Sequence, residues 1–175
     1  MNIIINVIRK IFGLTTPNTI DWYRKKGVAI GNNVDIISCQ IDMLCPKLIS
    51  IGNNVTLTNV TLLTHDASPK KSLGYTRFGK VSIGNNVFIG WNSIILPNVT
   101  IGNNVIIGAG SIVSRDIPDN SIAVGSPCHV IGKYEDYYSR QRHNLNSMIV
   151  LEKTPSQLTD DDICRLMNGG GIFYK

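Results

Sequence analysis

The chain has 175 residues, a formal charge of +5 and only 7% aromatic residues, which is enough sequence for one domain with a sizeable core. Its 17 Lys and Arg are scattered rather than clustered or interleaved with aromatics, which argues against nucleic acid and for a small anionic ligand. No run approaches the roughly twenty apolar residues that span a bilayer. Four cysteines without a C-x-x-C pair predict reduced, packed thiols and a cytoplasmic protein.

In chain order, residues 1–27 predict an N-terminal helical segment: helices over 2–12 and 18–26, separated by Pro17 and stopped by Gly27. Ile3–Ile8 is apolar but brief and lacks a basic start and a cleavage site. It is therefore expected to be an amphipathic helix, not a signal or a membrane anchor. From Val28 the phrase Ile-Gly-Asn-Asn-Val recurs, starting at Ile30, Ile51, Ile83 and Ile101. Between and after the last two, Ile83, Ile89, Ile95, Ile101, Ile107 and Val113 keep a strict six-residue beat. Four residues after each stand Val87, Ser93, Val99, Val105, Ser111 and Ile117.

A period of six fits no helix and is too regular for a β-sandwich with variable loops. It fits short flat strands joined by tight corners, three to an eighteen-residue coil of triangular section. Gly-Asn-Asn suits such corners, because these residues accept positive φ or bond their own backbone. A single coil cannot bury its aliphatic stripe, so coils must stack. The sequon-like Asn54-Val55-Thr56, Asn59-Val60-Thr61 and Asn98-Val99-Thr100 read as repeat corners.

Two interruptions stand out. Twenty-one residues separate Ile30 from Ile51, placing a small bulge around Asp42–Lys47. Thirty-two separate Ile51 from Ile83, so residues 66–80 must leave the prism as a basic arm carrying Lys70, Lys71, Arg77 and Lys80. The beat ends near Asp116–Asn120. Residues 134–175 predict C-terminal helices over Tyr134–Met148 and about Ser156–Asn168, the latter with Asp160–Asp162 in its first turns.

The order of these motifs carries a resemblance over residues 28–133. Val60–Asp66 is followed by the basic loop, three clean hexapeptides, Gly108-Ala109-Gly110 running on to Pro118, and Gly125-Ser126-Pro127. This resembles the hexapeptide-repeat acyltransferases of the maltose, galactoside and polysaccharide O-acetyltransferase group. The resemblance implies a left-handed parallel β-helix, a homotrimer with active sites between subunits, and acetyl-CoA as co-substrate without a metal. The left hand comes from the resemblance alone, since ordinary crossovers favour the opposite one.

Histidine is the residue type suited to removing a hydroxyl proton near neutral pH. Read from the residues alone, His65 is either such a base or an exposed turn histidine; the resemblance implies the base. Asp66 could orient it, although neighbours on an extended strand point apart, so another acid or a carbonyl could serve. The resemblance places cofactor contacts at Trp91, Ala109, Ser114, Arg115 and His129, with Lys133 available for phosphates. The backbone N–H of Trp91, eighteen residues before Ala109, becomes the candidate oxyanion donor. A bulky indole at that position departs from the family pattern, as does His129 where relatives often carry arginine. Asp42, Tyr75 and Arg77 are the acceptor-binding candidates, and the arm cations suit either an anionic glycan or plain solvent. The expected reaction is direct acetyl transfer to a sugar hydroxyl in surface polysaccharide assembly. Transfer to an amine or to serine, and an inactive scaffold, are the alternatives. A zinc carbonic anhydrase on a similar prism needs three converging histidines; His65, His129 and His143 are too scattered along the chain to supply them.

Overall fold

The structure is a computed structural model and describes residues 17–146, 149–151, 153, 155–169 and 172–174. The helix expected over 2–12 lies outside them. Helix α1 (Pro17–Lys26) comes first, with proline at its opening position and Arg24, Lys25 and Lys26 in its last turn. Ile20 and Tyr23 of α1 pack on the core.

The strands then wind through three parallel faces. The first face holds β1 (Ala29–Ile30), β4 (Ile49–Ile51), β9 (Val81–Ile83) and β12 (Val99–Ile101). The second holds β2 (Val34–Ile37), β5 (Val55–Thr58), β10 (Val87–Ile89), β13 (Val105–Ile107) and β15 (Ser121–Val124), and is closed by antiparallel β16 (His129–Lys133). The third holds β3 (Gln40–Ile41), β6 (Thr61–Leu62), β11 (Ile94–Ile95) and β14 (Ile112–Val113). The chain passes from first face to second to third and back, so three corners run the length of a parallel β-helix.

The interior is the six-residue beat made solid. Leu57, Leu62, Ile89, Ile95, Ile107 and Val113 are all 0% exposed. Each such aliphatic side chain contributes about 1.5–3 kcal/mol of burial. The register stacks like on like, with Val55, Val87 and Val105 in one column and Leu62, Ile95 and Val113 in another. Ser93 and Ser111 interrupt the apolar set but are satisfied, each hydroxyl donating to the Gly108 carbonyl at 3.1 and 2.6 Å.

The first corner explains the repeated phrase. Asn33, Asn54, Asn86, Asn104 and Asn120 all have φ between 53° and 57°. Each of the first four donates its side-chain amide to the next, at 3.0, 3.0, 2.9 and 2.9 Å. Glycine precedes them for a steric reason. A Cβ on Gly52 or Gly84 would lie 2.5 or 2.6 Å from the carbonyl oxygen of the glycine one coil on.

The bulge at 42–47 runs into a 3-10 turn over Pro46–Leu48. The excess of residues 66–80 forms an arm, with β7 (His65–Asp66) and β8 (Arg77–Phe78) pairing antiparallel and α2 (Lys70–Leu73) between them. The neck is closed by the Gly79 N–H donating to the Thr64 carbonyl at 2.9 Å.

Residues 135–175 form a second compact unit. Helix α3 (Tyr134–Leu145) enters it, and α4 (Asp160–Gly169) is its other helix. A parallel pair, β17 (Ile149–Leu151) and β18 (Ile172–Tyr174), adds strand where the sequence predicted helices alone. Thr159 caps α4 by a reciprocal box: its N–H and hydroxyl donate to Asp162 at 2.9 and 2.7 Å, and the Asp162 N–H returns to the hydroxyl. Lys153 Nζ also donates to Asp162, 2.6 Å away, and this bond, more than those from Thr159, holds the carboxyl well below its ordinary range. No helix among the described residues is long and apolar enough to cross a membrane.

Candidate active site

His65 stands at the third corner, where the arm leaves the prism. The bulge one coil below brings Asp42 beneath it, because the Asp42 N–H pairs with the Leu62 carbonyl at 3.0 Å. Asp42 Oδ2 accepts three bonds: from His65 Nδ1 at 2.5 Å, the Thr64 hydroxyl at 2.7 Å and the Thr64 N–H at 2.9 Å. Its Oδ1 accepts the Leu44 N–H at 3.0 Å. Burial by itself raises the Asp42 carboxyl, but the bonds from Thr64, Leu44 and His65 outweigh it and leave the group well below the ordinary carboxylate range.

An ionised carboxylate has no hydrogen to give, so His65 Nδ1 carries the proton of this bond. In the neutral imidazole Nε2 is then an unprotonated acceptor. The His65 side chain is 34% exposed and the Asp42 side chain 6%, so the imidazole is reachable while its support is not. This corrects the acceptor-side expectation for Asp42 and answers the open question of which group orients His65. Asp42 does not face an acceptor, because its oxygens are engaged with Thr64, Leu44 and His65. Asp66 does not orient His65; it pairs instead with Arg77 across the arm. That bond from Arg77, followed by the Ser68 N–H, holds the Asp66 carboxyl down to about 2.

A cleft of about 940 Å3 opens here, in the range of small-molecule sites. Its walls include Leu63, Leu96 and Pro97 from the prism and His65, Arg77 and Phe78 from the arm. Ser114, a predicted cofactor contact, lines it two coils above His65's own; Arg115 follows, exposed, at the same corner. Tyr75 is half exposed on the arm and does not line the cleft. Phe78 was not foreseen. Its signal was an aromatic on a returning segment three residues before β9 begins at Val81, legible only once β8 is known to pair with β7.

The other predicted residues are elsewhere. Trp91 and Ala109 turn the second corner, stacked through the Gly110 N–H on the Trp91 carbonyl at 2.8 Å. The indole points outward, 55% exposed, as its bulk requires. With the Asn59 amide nitrogen donating to the Ser38 carbonyl, the Asn59 oxygen accepts the indole Nε1 at 3.2 Å. His129 opposes Val124 at the same corner, whereas Lys133 opposes Ser121 at the first-corner end of β16. Four residues of extended strand, about 13 Å, separate them. Arg115, His129 and Lys133 therefore occupy three different corners and do not form one phosphate cluster within a chain.

Competing chemistries find little support. Burial pushes the Cys39 thiol up to about 11, its sulfur accepting the Val60 N–H at 3.3 Å, so it is packed rather than nucleophilic. No group of three or more metal-binding side chains occurs among the described residues.

Residues 80–115 match the bacterial transferase hexapeptide (six repeats) family. Protein CapG of Staphylococcus aureus is 47% identical over 133 residues, covering 72% of this chain and 77% of its own. Three other curated relatives, one of them from Bacillus subtilis, are matched over about half of their own length. Among solved structures, a maltose O-acetyltransferase from Clostridium difficile 630 is 32% identical with a TM-score of 0.51, covering 73% of this chain and 83% of that one. A galactoside acetyltransferase in complex with coenzyme A is 29% identical with a TM-score of 0.55, covering 77% and 80%. With its stacked coils, its arm-borne histidine and these relatives, the chain belongs to the hexapeptide-repeat acetyltransferase family.

Proposed function

We propose that the protein is an acetyl-CoA-dependent O-acetyltransferase that passes acetyl directly to a sugar hydroxyl, with His65 as general base. The observation that carries this is the Asp42–His65 bond. It leaves Nε2 as an acceptor at the wall of a cleft large enough for an acceptor. Relatives that acetylate maltose and galactoside support a sugar as substrate. The acceptor belongs to surface polysaccharide assembly, in the cytoplasm, and the coil takes the left hand of the family.

Acetyl-CoA supplies the activated acyl group as a thioester. Its fit rests on the second corner, where Ala109 and Gly110 are exposed and a Cβ on Gly110 would meet nothing within 4 Å. A backbone so open can be approached by the amides of a pantetheine arm. His65 Nε2 takes the acceptor's proton as its oxygen attacks, while ionised Asp42 stabilises the imidazolium. The Trp91 N–H faces the oxygen that gains charge. His65 then returns the proton to the leaving sulfur.

His65 and Trp91 turn different corners of one prism, so the site is complete only between copies. A ring in which each copy offers its third corner to one neighbour and its second corner to the other closes as a homotrimer. Outward Phe88 and Ile106, aligned on the second face, suit that contact. Arg115 from one copy and His129 from the next then flank the nucleotide end.

The test is release of free coenzyme A from acetyl-CoA over a panel of sugars, nucleotide sugars and amines, with His65→Ala alongside. Turnover on a sugar that vanishes in the variant supports the reading. Turnover on amines alone would redirect it, and neither turnover nor acetyl-CoA binding would favour a scaffold.

A further inference from the structure

Phe78 is an aromatic side chain that its own fold leaves uncovered. It sits on the rung of the arm opposite His65, 49% exposed, and lines the cleft. Tyr75 and Leu73 are exposed on the same arm but line no part of the cleft. The Phe78 and His65 rings stand 6.1 Å apart, centre to centre, at 37°. The two rings are tilted rather than stacked, and Phe78 stays half exposed at the cleft. The next rung adds the Asp66–Arg77 pair to the cleft wall.

We propose that Phe78 is the platform on which the acceptor ring lies, and that this ring is an uncharged pyranose; the inference rests on the acetyltransferase reading above. A pyranose carries a patch of C–H groups on its ring face, which suits the negative face of an aromatic ring. A sugar lying on Phe78 turns its rim hydroxyls toward His65 and the Asp66–Arg77 rung. A hydroxyl both donates and accepts, and that rung offers it a carboxylate and a guanidinium side by side.

Charge decides against an anionic ring. Arg77 is the single Lys or Arg among the described residues lining the cleft, and Asp66 already neutralises it. Behind His65 lies the ionised Asp42. A uronic carboxylate on the bound ring would meet, on this chain's side of the cleft, a wall without a spare cation, and like charge is costly there. Lys70 and Lys71, on α2, do not line the cleft.

Saturation-transfer NMR tests this on the full chain, with methyl glucopyranoside, methyl galactopyranoside and their methyl uronides as probes. The expected result is saturation of the ring C–H protons of a neutral pyranoside. Its affinity should fall about fivefold in Phe78→Ala and persist in Phe78→Trp. The uronides should bind more weakly than their neutral counterparts. Equal affinity in Phe78→Ala, tighter uronide binding, or no saturation by any neutral pyranoside overturns the proposal. So does a Phe78→Ala protein whose oligomer dissociates on a sizing column while its sugar affinity stays unchanged, because Phe78 would then be a contact between copies. His65→Ala separates this inference from the reading beneath it. If both hold, that variant keeps sugar binding and loses transfer. Phe78-dependent binding in a wild-type protein that never transfers acetyl would leave the platform standing and remove the enzyme.

Discussion

Asp42 and His65 lie 23 residues apart in sequence and 2.5 Å apart in space, joined by a bond from Nδ1 to a carboxylate that Thr64 and Leu44 keep ionised. The bond selects the tautomer of His65 and aims its other nitrogen at the cleft. Removing the charge while keeping the shape is therefore informative. Asp42→Asn can offer an N–H to Nδ1 and so favour the wrong tautomer. We expect kcat to fall by about 10²-fold or more with little change in KM for acetyl-CoA. Steady-state kinetics check this, and an unchanged kcat would remove Asp42 from the mechanism.

The same carboxylate couples stability to pH. Its folded value lies below that of an unfolded aspartate, near 3.9, so the folded state binds its proton less readily. The stabilisation is fully present above about pH 4 and is lost as pH falls through the depressed folded value. The Tm advantage of wild type over Asp42→Asn should therefore be widest near neutral pH and shrink on acidification. An advantage that grows toward acid would contradict the assignment.

The asparagine ladder makes a separate prediction about the corners. Asn86 holds a φ of 55°, accepts from Asn54 and donates to Asn104. Asn86→Ala loses both bonds and strains the backbone, and should cost about 2–4 kcal/mol. Asn86→Gly loses the bonds but relieves the strain, and should cost less. Denaturant unfolding of the two variants distinguishes backbone strain from the ladder itself.

In the interior, Ile95→Ala should destabilise by about 2–5 kcal/mol, because the side chain is 0% exposed in a narrow stack that cannot collapse around the gap. Thermal or denaturant unfolding measures it. A cost below about 1 kcal/mol would mean the prism relaxes along its axis.

A mixing experiment tests the proposed homotrimer and its site between copies. His65→Ala lacks the base, and Ala109→Trp blocks the second corner. Each homotrimer should be inactive, but co-expressed at equal levels they should recover about a quarter of wild-type activity, since one interface in four pairs an intact His65 with an intact Ala109 corner. No recovery in proven mixed trimers would mean both groups serve one chain's own site.

How much of this was legible beforehand depends on range. The prism announced itself because each interior residue is chosen by its place in a six-residue beat, as Ile83 through Val113 are. The arm was legible as a failure of that beat, and His65 as the histidine at its root. The group that orients His65 was left open in the sequence: Asp66 is adjacent, but adjacency on a strand points side chains apart, and Asp66 pairs with Arg77. Asp42 read as an acceptor-side acid because Thr64 and His65, which engage its other oxygen, lie 22 and 23 residues away.

The sequence by itself determined the coil, its corners and the break at the arm, because those depend on residues a few positions apart meeting in a repeating frame. Only the tertiary structure decided which acid holds His65, that Phe78 lines the cleft, and that Arg115, His129 and Lys133 stand at separate corners. Those facts depend on which residues of different coils fall in register. The irregular insertions at 42–47 and 66–80 shift that register by amounts no periodicity encodes.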